Sequence, residues 1–230
     1  MYGFYGIDIY YILLVLPAVI LALIAQVKVK STYKKYSGVP NTRGMTGAQA
    51  AQAVLSYYGI NDVMIQPITG SLTDNFNPKN KVISLSEGVY NSTSVAAVGI
   101  ACHEAGHAAQ HAEEYGPIKV RNSIVPICNI GSMLGIPLAI IGIFLSFEPL
   151  IYAGLILYSA VLVFHLVTLP VEFNASRRAL KVIEENSLLY GEEYSGAKKV
   201  LTSAAMTYVA SMLVTLANLL RFFLRFTKRN

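Results

Sequence analysis

Residues 95–114 read VAAVGIACHEAGHAAQHAEE. This stretch predicts one helix, because residues 91–94 (Asn-Ser-Thr-Ser) are rich in N-cap residues and the Gly-Pro pair at 116–117 would end it. Within this helix, His103 and His107 stand four residues apart in an HExxH pattern. The chain contains only four histidines, and two of them occupy these positions.

The four-residue spacing of the histidines is typical of a zinc site on a helix. Residues four apart lie on one helical face, so both imidazoles can reach one zinc ion at ~2.0–2.1 Å. Glu104 is rotated away from the pair by about one residue step, which suits a general base that takes a proton from the metal-activated water. The alternative is a surface helix with two solvated histidines.

The composition predicts that part of the chain lies in lipid. Apolar residues make up 54% and charged residues 13% of the 230 residues, against ~25% charged residues in an average soluble domain. Mean hydropathy is +0.49. The net charge is +5, but the basic residues flank apolar stretches, which indicates topology signals rather than nucleic-acid binding. Cys102 and Cys128 form no CxxC pair, so neither a disulfide framework nor a zinc ribbon is expected.

Four apolar runs are candidates for crossing or lying on a bilayer, and they cover residues 7–27, 123–146, 150–170 and 204–220. Basic residues follow the first run and none precedes it, which predicts an N-terminus outside the cell and a cytoplasmic segment next. A signal peptide is the competing interpretation, but no convincing cleavage site follows the run.

The second and third runs predict a transmembrane hairpin. Only Phe147-Glu148-Pro149 separates them, basic residues flank both outer ends, and the turn contains no Lys or Arg. Both outer ends are therefore expected in the cytoplasm. The fourth run has basic residues on both flanks, so it either spans the membrane or lies along its inner surface as an amphipathic helix; we favour spanning.

The polar segments complete a mainly α-helical (α+β) integral-membrane fold with a small sheet. Thr46 is a plausible N-cap for a helix over 47–58, and two short strands are expected at 63–65 and 81–85. The predicted division of the chain is an N-terminal transmembrane anchor (1–30), a cytoplasmic segment with the HExxH helix (31–121), a transmembrane hairpin (122–170), a second cytoplasmic segment (171–203), and a C-terminal transmembrane or interfacial helix with a basic tail (204–230).

A catalytic zinc ion needs a third protein ligand and an open fourth position. His111 continues the four-residue series, but on a straight helix it lies ~12 Å along the axis from His103, too far to share one ion. The longer HExxHxxGxxH pattern also fails, because Gln110 and Glu113 occupy the positions of its Gly and last His. His111 is therefore expected to be an ordinary polar helix residue.

The predicted topology narrows the search for the third ligand. Glu148 is excluded, because it lies in the hairpin turn on the far side of the membrane. Glu172 is the first carboxylate after the hairpin returns. Other candidates remain open at this point, namely Glu184, Glu185, Glu192 and Glu193. His165, inside the third run, is either a functional intramembrane residue or a neutral histidine bonded to a neighbouring backbone group.

At these residues the chain resembles the YugP-like family of membrane zinc metallopeptidases, over nearly its whole length. The resemblance rests on residues 72–78 (LTDNFNP), the HExxH motif, the hairpin and residues 172–176 (EFNAS). More distantly, the chain is similar to gluzincins of the HtpX and CAAX prenyl endopeptidase group, whose third zinc ligand is a glutamate in an ExxAD-like segment after a membrane hairpin. The resemblance implies that Glu172 is this ligand, that one Zn²⁺ binds per chain, and that a hairpin separates the two halves of a minimal gluzincin core.

The chain departs from the wider group at one position near the zinc ligand. That group has an aspartate where this chain has Ser176, and such an aspartate can orient a zinc-bound histidine. Ser176 and Asn174 are the candidates to replace it. Arg177 and Arg178 are candidate stabilisers of the oxyanion, although they serve equally as topology anchors.

In related peptidases the substrate lies as an extended strand along an edge strand of the enzyme. The best candidate for that strand is formed by Val82, Ile83, Ser84 and Leu85, unless these residues simply pack on the motif helix. The implied activity is hydrolysis of peptide bonds in peptides or membrane-protein segments near the cytoplasmic membrane surface. The alternatives are a structural or scaffolding zinc protein of the membrane, and a zinc hydrolase of a non-peptide amide. The bilayer and a peptide substrate are the expected partners, nucleic acid is not, and the sequence does not indicate the oligomeric state.

Overall fold

A computed structural model describes residues 8–227 of the chain. The prediction of a mainly helical fold with a small sheet is confirmed. A short π-helical segment, Tyr11–Val15, leads into the first helix. The remaining elements are α1 (Leu16–Ser37), α2 (Gly47–Tyr57), β1 (Met64–Ile68), β2 (Asn75–Asn77), β3 (Val82–Ser86), α3 (Glu87–Tyr90), α4 (Val95–Ala112), α5 (Gly116–Phe144), α6 (Glu148–Glu185) and α7 (Gly191–Thr227).

The chain divides into two compact units, and each is built from pieces that are distant in sequence. The sheet unit comprises Val27–Lys119 and Pro170–Met206, so it holds the sheet, α2 to α4 and parts of the four longer helices α1, α5, α6 and α7. Within the described residues, the helical unit comprises 8–26, Val120–Leu169 and 207–227.

The core of the sheet unit forms around α4, which packs against α2 through small residues. The apolar face of α2 is fully buried, and Val54 and Leu55 are its largest buried side chains. Thr46 caps this helix as predicted, because its hydroxyl accepts from the backbone N–H of Gln49 while the Gln49 side chain accepts from the backbone N–H of Thr46. Two predicted helices, α2 and α4, are thus confirmed within one or two residues of their expected ends.

The sheet has the strand order β1-β3-β2, with β1 parallel and β2 antiparallel to β3. β3 is the central strand and is buried along its whole length, so the prediction that Val82 to Leu85 form an edge strand is wrong. The sequence prediction missed β2, whose Phe76 pairs with Ile83 and covers that side of β3. Beyond β2, the Asp74 carboxylate accepts the backbone N–H of Ser86 at 2.7 Å, so β3 remains covered there too.

In the helical unit, α5 and α6 form an antiparallel pair that approaches closely at glycines. A Cβ at Gly135 would lie 2.8 Å from the backbone N of Tyr158, and one at Gly142 would lie 2.7 Å from that of Ile151. Such small-residue contacts are typical of helices that pack within lipid. Residues 145–147 connect the two helices, and α6 begins at Glu148, so the connection lies slightly earlier than the predicted 147–149. Proline is well tolerated in a first helical turn, which explains why Pro149, the second residue of α6, does not break the helix.

Also in the helical unit, the start of the chain packs along α7. Val15 and Ala18 are buried against Ala217. The carboxylate of Asp8 accepts from Arg221 Nε and Nη2 at 3.1 and 3.0 Å and from Arg225 Nη1 at 3.1 Å. The two helices therefore run antiparallel, with an ion cluster at one end.

By length and composition, four helical segments of the described chain could each cross a membrane: Tyr11–Ser37, Gly116–Phe144, Glu148–Glu185 and Gly191–Arg225. Each helix extends beyond its predicted apolar run. In particular, α6 continues through Glu172 to Glu185, where the sequence suggested a separate polar segment. The apolar run of α6 stops where polar side chains begin, but the helix continues, because polar residues can form a helix as well as apolar ones.

Candidate metal centre

The two motif histidines lie on one face of α4, in the sheet unit. Ser94 caps the helix by accepting from the backbone N–H of Ala97 at 3.2 Å, which fixes where the helix begins. The ring centroids of His103 and His107 are 4.7 Å apart, and the ring planes are nearly perpendicular at 82°. The capped helix thus delivers two imidazoles to one point, as the spacing predicts.

Glu172 on α6 completes this cluster. Its Oε2 lies 3.4 Å from His103 Nε2 and 3.6 Å from His107 Nε2, and the carboxylate is buried with only 4% of the residue exposed. Donor atoms around a tetrahedral zinc ion with ~2.0–2.1 Å bonds are separated by ~3.3–3.4 Å. Two imidazole nitrogens and a carboxylate oxygen at these distances therefore fit a zinc ion.

Gly106 allows the helices that carry these ligands to approach each other. A Cβ at this position would lie 2.7 Å from the backbone oxygen of Ala175, a distance that real side chains do not reach. Gly106 lies inside the HExxH motif, and Ala175 lies one turn of α6 after Glu172. The absence of a side chain at Gly106 is thus a condition for bringing Glu172 to the histidines.

His107 is oriented by a buried amide that the sequence analysis did not assign. Its Nδ1 lies 2.9 Å from Gln110 Oε1. The Gln110 amide nitrogen donates to the carbonyl of Val171 at 2.8 Å and to Asn174 Oδ1 at 2.9 Å. Since the amide nitrogen is used in this way, Gln110 must present its oxygen to His107. His107 Nδ1 then carries the proton, and Nε2 is left with a lone pair directed at the cluster.

The network continues from Asn174 to Arg178. Arg178 Nε donates to Asn174 Oδ1 at 2.8 Å, and its Nη1 pairs with Glu113 at 2.7 Å. The guanidinium also lies over the rings of Tyr58 and Tyr115. Asn174 and Arg178 are therefore linked to His107 through the Gln110 amide.

His103 has a simpler partner, the hydroxyl of Ser176. Ser176 Oγ lies 3.1 Å from His103 Nδ1. This places Ser176 where the sequence analysis expected a replacement for the aspartate of the wider group. A serine hydroxyl can accept the Nδ1 proton and so leave Nε2 free to bind a metal ion, although it carries no charge.

The electrostatics of the cluster favour a cation. Burial by itself lowers the pKa of His107, but the Glu172 carboxylate, the charge on Glu104 and the Gln110 hydrogen bond together raise it above the ordinary value. The balance shows that nearby negative charge outweighs the loss of hydration at His107. A divalent cation would benefit from the same charge.

Glu104 is half-buried beside the cluster, and its negative charge acts on His107. It makes no hydrogen bond or ion pair with any residue in the described range 8–227. The side chain is thus free to accept a proton from a molecule that enters the site.

Other candidates from the sequence analysis have different surroundings. The ring of His111 packs edge-on against Phe76 at 6.1 Å, and that of His165 lies beside Phe164. Glu185 accepts the hydroxyl of Tyr57, and Glu193 accepts the backbone N–H of Thr42. Among residues 8–227, the one group of three or more potential ligands within reach of a common metal ion is His103, His107 and Glu172.

Gln110 is the functional candidate that the sequence analysis missed. It follows His107 by three residues, a spacing that brings two side chains together on a helix. It is also fully buried, which is unusual for a glutamine without a specific partner. The three-residue spacing is visible in the sequence, whereas the burial of Gln110 depends on the position of α6.

Comparison with known proteins now identifies the class. Residues 11–227 match the model of the family described as "Putative neutral zinc metallopeptidase", and the chain belongs to this family. The chain is also 44% identical over 216 residues to the "Putative membrane protease YugP" of Bacillus subtilis (strain 168), an alignment that covers 94% of this chain and 96% of that protein. The family resemblance inferred from the sequence is thus confirmed. No solved structure matches the chain.

Proposed function

We propose that this protein is a membrane-bound zinc endopeptidase that hydrolyses peptide bonds near the cytoplasmic membrane surface. The observation that carries the proposal is the convergence of His103, His107 and Glu172, whose potential ligand atoms lie within 4.8 Å of one another, beside Glu104, which forms no ion pair within residues 8–227. The family match and the relative named as a membrane protease support the same reaction.

The donor set is the one that zinc prefers in hydrolases. Two neutral imidazoles and one carboxylate, His103, His107 and Glu172, would hold a single ion and leave a fourth position for water or substrate. When bound, zinc supplies Lewis-acid chemistry that polarises a carbonyl and makes water more acidic. We thus assign the cluster to a minimal gluzincin core in two halves, one on α4 and one in the later part of α6. In the chain, α5 and the first part of α6 separate the two halves.

Glu104 would carry out the proton transfers of the reaction. Its free carboxylate accepts a proton from the attacking water and returns that proton to the leaving amine as the peptide bond breaks. Gln110 and Ser176 hold His107 and His103 in the tautomers that leave both Nε2 atoms available. Arg178 is fully engaged by Asn174 and Glu113, which argues against it as the group that stabilises the oxyanion.

A peptide substrate would bind along β2 rather than β3. β3 is paired on both sides, whereas within the described sheet β2 has a partner on one side only. β2 also packs against α4, and Phe76 contacts His111 one turn beyond His107. An extended peptide added to this edge would gain backbone hydrogen bonds close to the motif helix.

We place the site on the cytoplasmic side of a four-span protein whose N-terminus lies outside. The basic residues that follow the first apolar run support this orientation. The ion cluster of Asp8 with Arg221 and Arg225 supports a spanning α7, because it joins the outer end of the first helix to the far end of the last. An α7 lying flat on the inner surface would not run antiparallel to a helix that crosses the membrane.

The proposal is tested by purifying the wild-type protein in detergent beside Glu104→Gln and Glu172→Ala, and by measuring bound zinc together with cleavage of unfolded casein. The wild type is expected to hold about one zinc per chain and to cleave. Glu104→Gln should keep the metal and lose cleavage, whereas Glu172→Ala should lose the metal. Full zinc retention by Glu172→Ala would overturn the ligand assignment.

The same preparation separates the two alternatives. A wild-type protein that holds zinc but cleaves neither casein nor a membrane-protein segment would favour a structural or scaffolding ion. Turnover of a long-chain acyl amide without turnover of any peptide would favour a zinc hydrolase of a non-peptide amide. Either result would leave the metal centre in place and remove the peptidase assignment.

A further inference from the structure

A second concave site lies between α1 and α7 within the sheet unit. It is a cavity of about 740 Å³, and no acidic side chain is found among the described residues that line it. Most of the exposed lining is apolar, and its polar side chains end in ammonium groups and hydroxyls, chiefly those of Lys28, Lys35, Lys198, Lys199, Ser31 and Thr202.

Helical spacing explains how these groups come to face one cavity. On α1, Lys28, Ser31 and Lys35 follow one another at intervals of about one turn and therefore share a face. Lys198 and Thr202 are related in the same way on α7. The ring of Tyr36 lies against Gly196, where a Cβ would approach ring carbon Cε1 to 2.6 Å, so the absence of a side chain there lets the two helices meet beside the cavity.

Within residues 8–227, no ion pair neutralises the positive charge of this cavity. None of the four lysines forms an ion pair with any residue between positions 8 and 227, and Lys35 contacts only the ring of Tyr36 through its ammonium group. Like charges that share one cavity repel one another, and a bound anion relieves that repulsion. Ammonium groups and hydroxyls are the donors that bind phosphate oxygens in proteins.

The position of the cavity in the chain indicates the source of the phosphate. Lys28 directly follows the first apolar run, 7–27, and Met206, which also lines the cavity, lies in the last one, 204–220. The cavity therefore lies where both helices leave their apolar stretches, the level at which lipid phosphates are found. We propose that the cavity binds the phosphate of an anionic phospholipid headgroup in the membrane leaflet at whose surface it lies. This proposal rests on the apolar helices and is independent of the zinc centre.

The test compares two double variants on the same helix. Lys28→Gln with Lys35→Gln removes two charges from the cavity, whereas Lys30→Gln with Lys34→Gln removes two charges from positions of α1 that do not line it, and all four lysines are exposed. Native mass spectrometry from mixed micelles would count phosphatidylglycerol retained by each protein, with phosphatidylcholine as the reference lipid without net charge. Loss of the cavity pair is expected to weaken phosphatidylglycerol retention about 20- to 30-fold at low salt, and loss of the control pair less than about 3-fold.

Several outcomes would overturn the proposal. Equal losses in the two double variants would show diffuse attraction to a basic helix instead of a built site. Equal retention of phosphatidylglycerol and phosphatidylcholine by the wild-type protein would show that the cavity does not select for negative charge. Displacement of the lipid by inorganic phosphate at the same concentration would assign the cavity to the free anion. Circular dichroism checks the fold, and Lys35→Gln alone, with an expected loss of about 5-fold, replaces the double variant if that variant is unfolded.

Discussion

The two histidines of the metal centre are supported in different ways. His107 is backed by a fixed chain of partners, from Gln110 to Asn174 and then to Arg178, which ties α4 to α6 at several points. His103 is backed by one hydroxyl, that of Ser176. A buried amide whose donors are already used can act only as an acceptor toward the imidazole, whereas a hydroxyl can rotate to donate or accept. The His107 side of the centre is therefore preorganised by the fold, and the His103 side is adjustable.

The largest expected effect comes from a change that disrupts both sides at once, Gly106→Ala. Its Cβ would lie 2.7 Å from the Ala175 backbone oxygen, so α4 and α6 must separate at the level of the ligands. Overpacking of this kind costs ~1–3 kcal/mol. We expect loss of most of the bound zinc, measured by metal analysis of the purified protein.

The matched control for this change lies on the same helix. At Gly99 a Cβ would lie 3.4 Å from Ala197 Cβ, an ordinary contact, so Gly99→Ala should retain zinc. If Gly106→Ala binds zinc as the wild type does, the close approach of the two helices is not what brings Glu172 to the histidines.

The next-largest effect on zinc binding is expected from a change on the His107 side of the centre. Gln110→Met keeps the length of the side chain but removes the acceptor of His107 and the donors to Val171 and Asn174. Loss of such a partner commonly costs 10- to 100-fold in metal affinity, and we expect a value of about 100-fold, because a buried polar network is broken as well. Competition with a fluorescent zinc chelator measures it. An unchanged zinc affinity would reduce Gln110 to a space-filling residue.

A smaller effect is expected on the adjustable side. Ser176→Ala removes the hydroxyl from His103 Nδ1, where water can take its place more easily, so zinc affinity should fall by about 10-fold. The difference between this loss and that of Gln110→Met, measured in the same chelator assay, is the direct test of the comparison. Equal losses would mean that the two histidines are held equally firmly.

The smallest effect is expected at the end of the network. Arg178→Lys keeps the charge but cannot reproduce the planar contacts with Asn174 and Glu113, so zinc affinity should fall less than about 10-fold. Arg177→Lys is the matched control, since Arg177 is the adjacent residue and makes neither contact. A large fall in turnover with zinc affinity unchanged would instead return Arg178 to the role of oxyanion stabiliser.

Local sequence rules predicted the parts of this protein that depend on neighbours along one helix. The four-residue spacing of His103 and His107 fixed their common face, and the caps at Thr46 and Ser94 set the starts of α2 and α4. Glu172 was reached from the order of the apolar runs and the family resemblance, since no local pattern marks it as a ligand. Its place beside the histidines in the structure agrees with that expectation.

Features that depend on distant parts of the chain could not be predicted in the same way. β2 is a short segment, Asn-Phe-Asn, that looks like a turn, and it is a strand only because β3 offers it hydrogen bonds. The role of Gln110 required Val171 and Asn174, which are remote in sequence and meet it only when α6 packs on α4. The central position of β3 likewise became visible only with the register of the whole sheet.

The order of the ligands along the chain has a consequence for biosynthesis. His103 and His107 are made before α5, whereas Glu172 is made only after all of α5 and much of α6. A nascent chain that carries both histidines therefore lacks the buried carboxylate that completes the donor set. The ribosome thus imposes a delay, and the three-ligand centre can form only on a chain whose α5–α6 pair has already been synthesised.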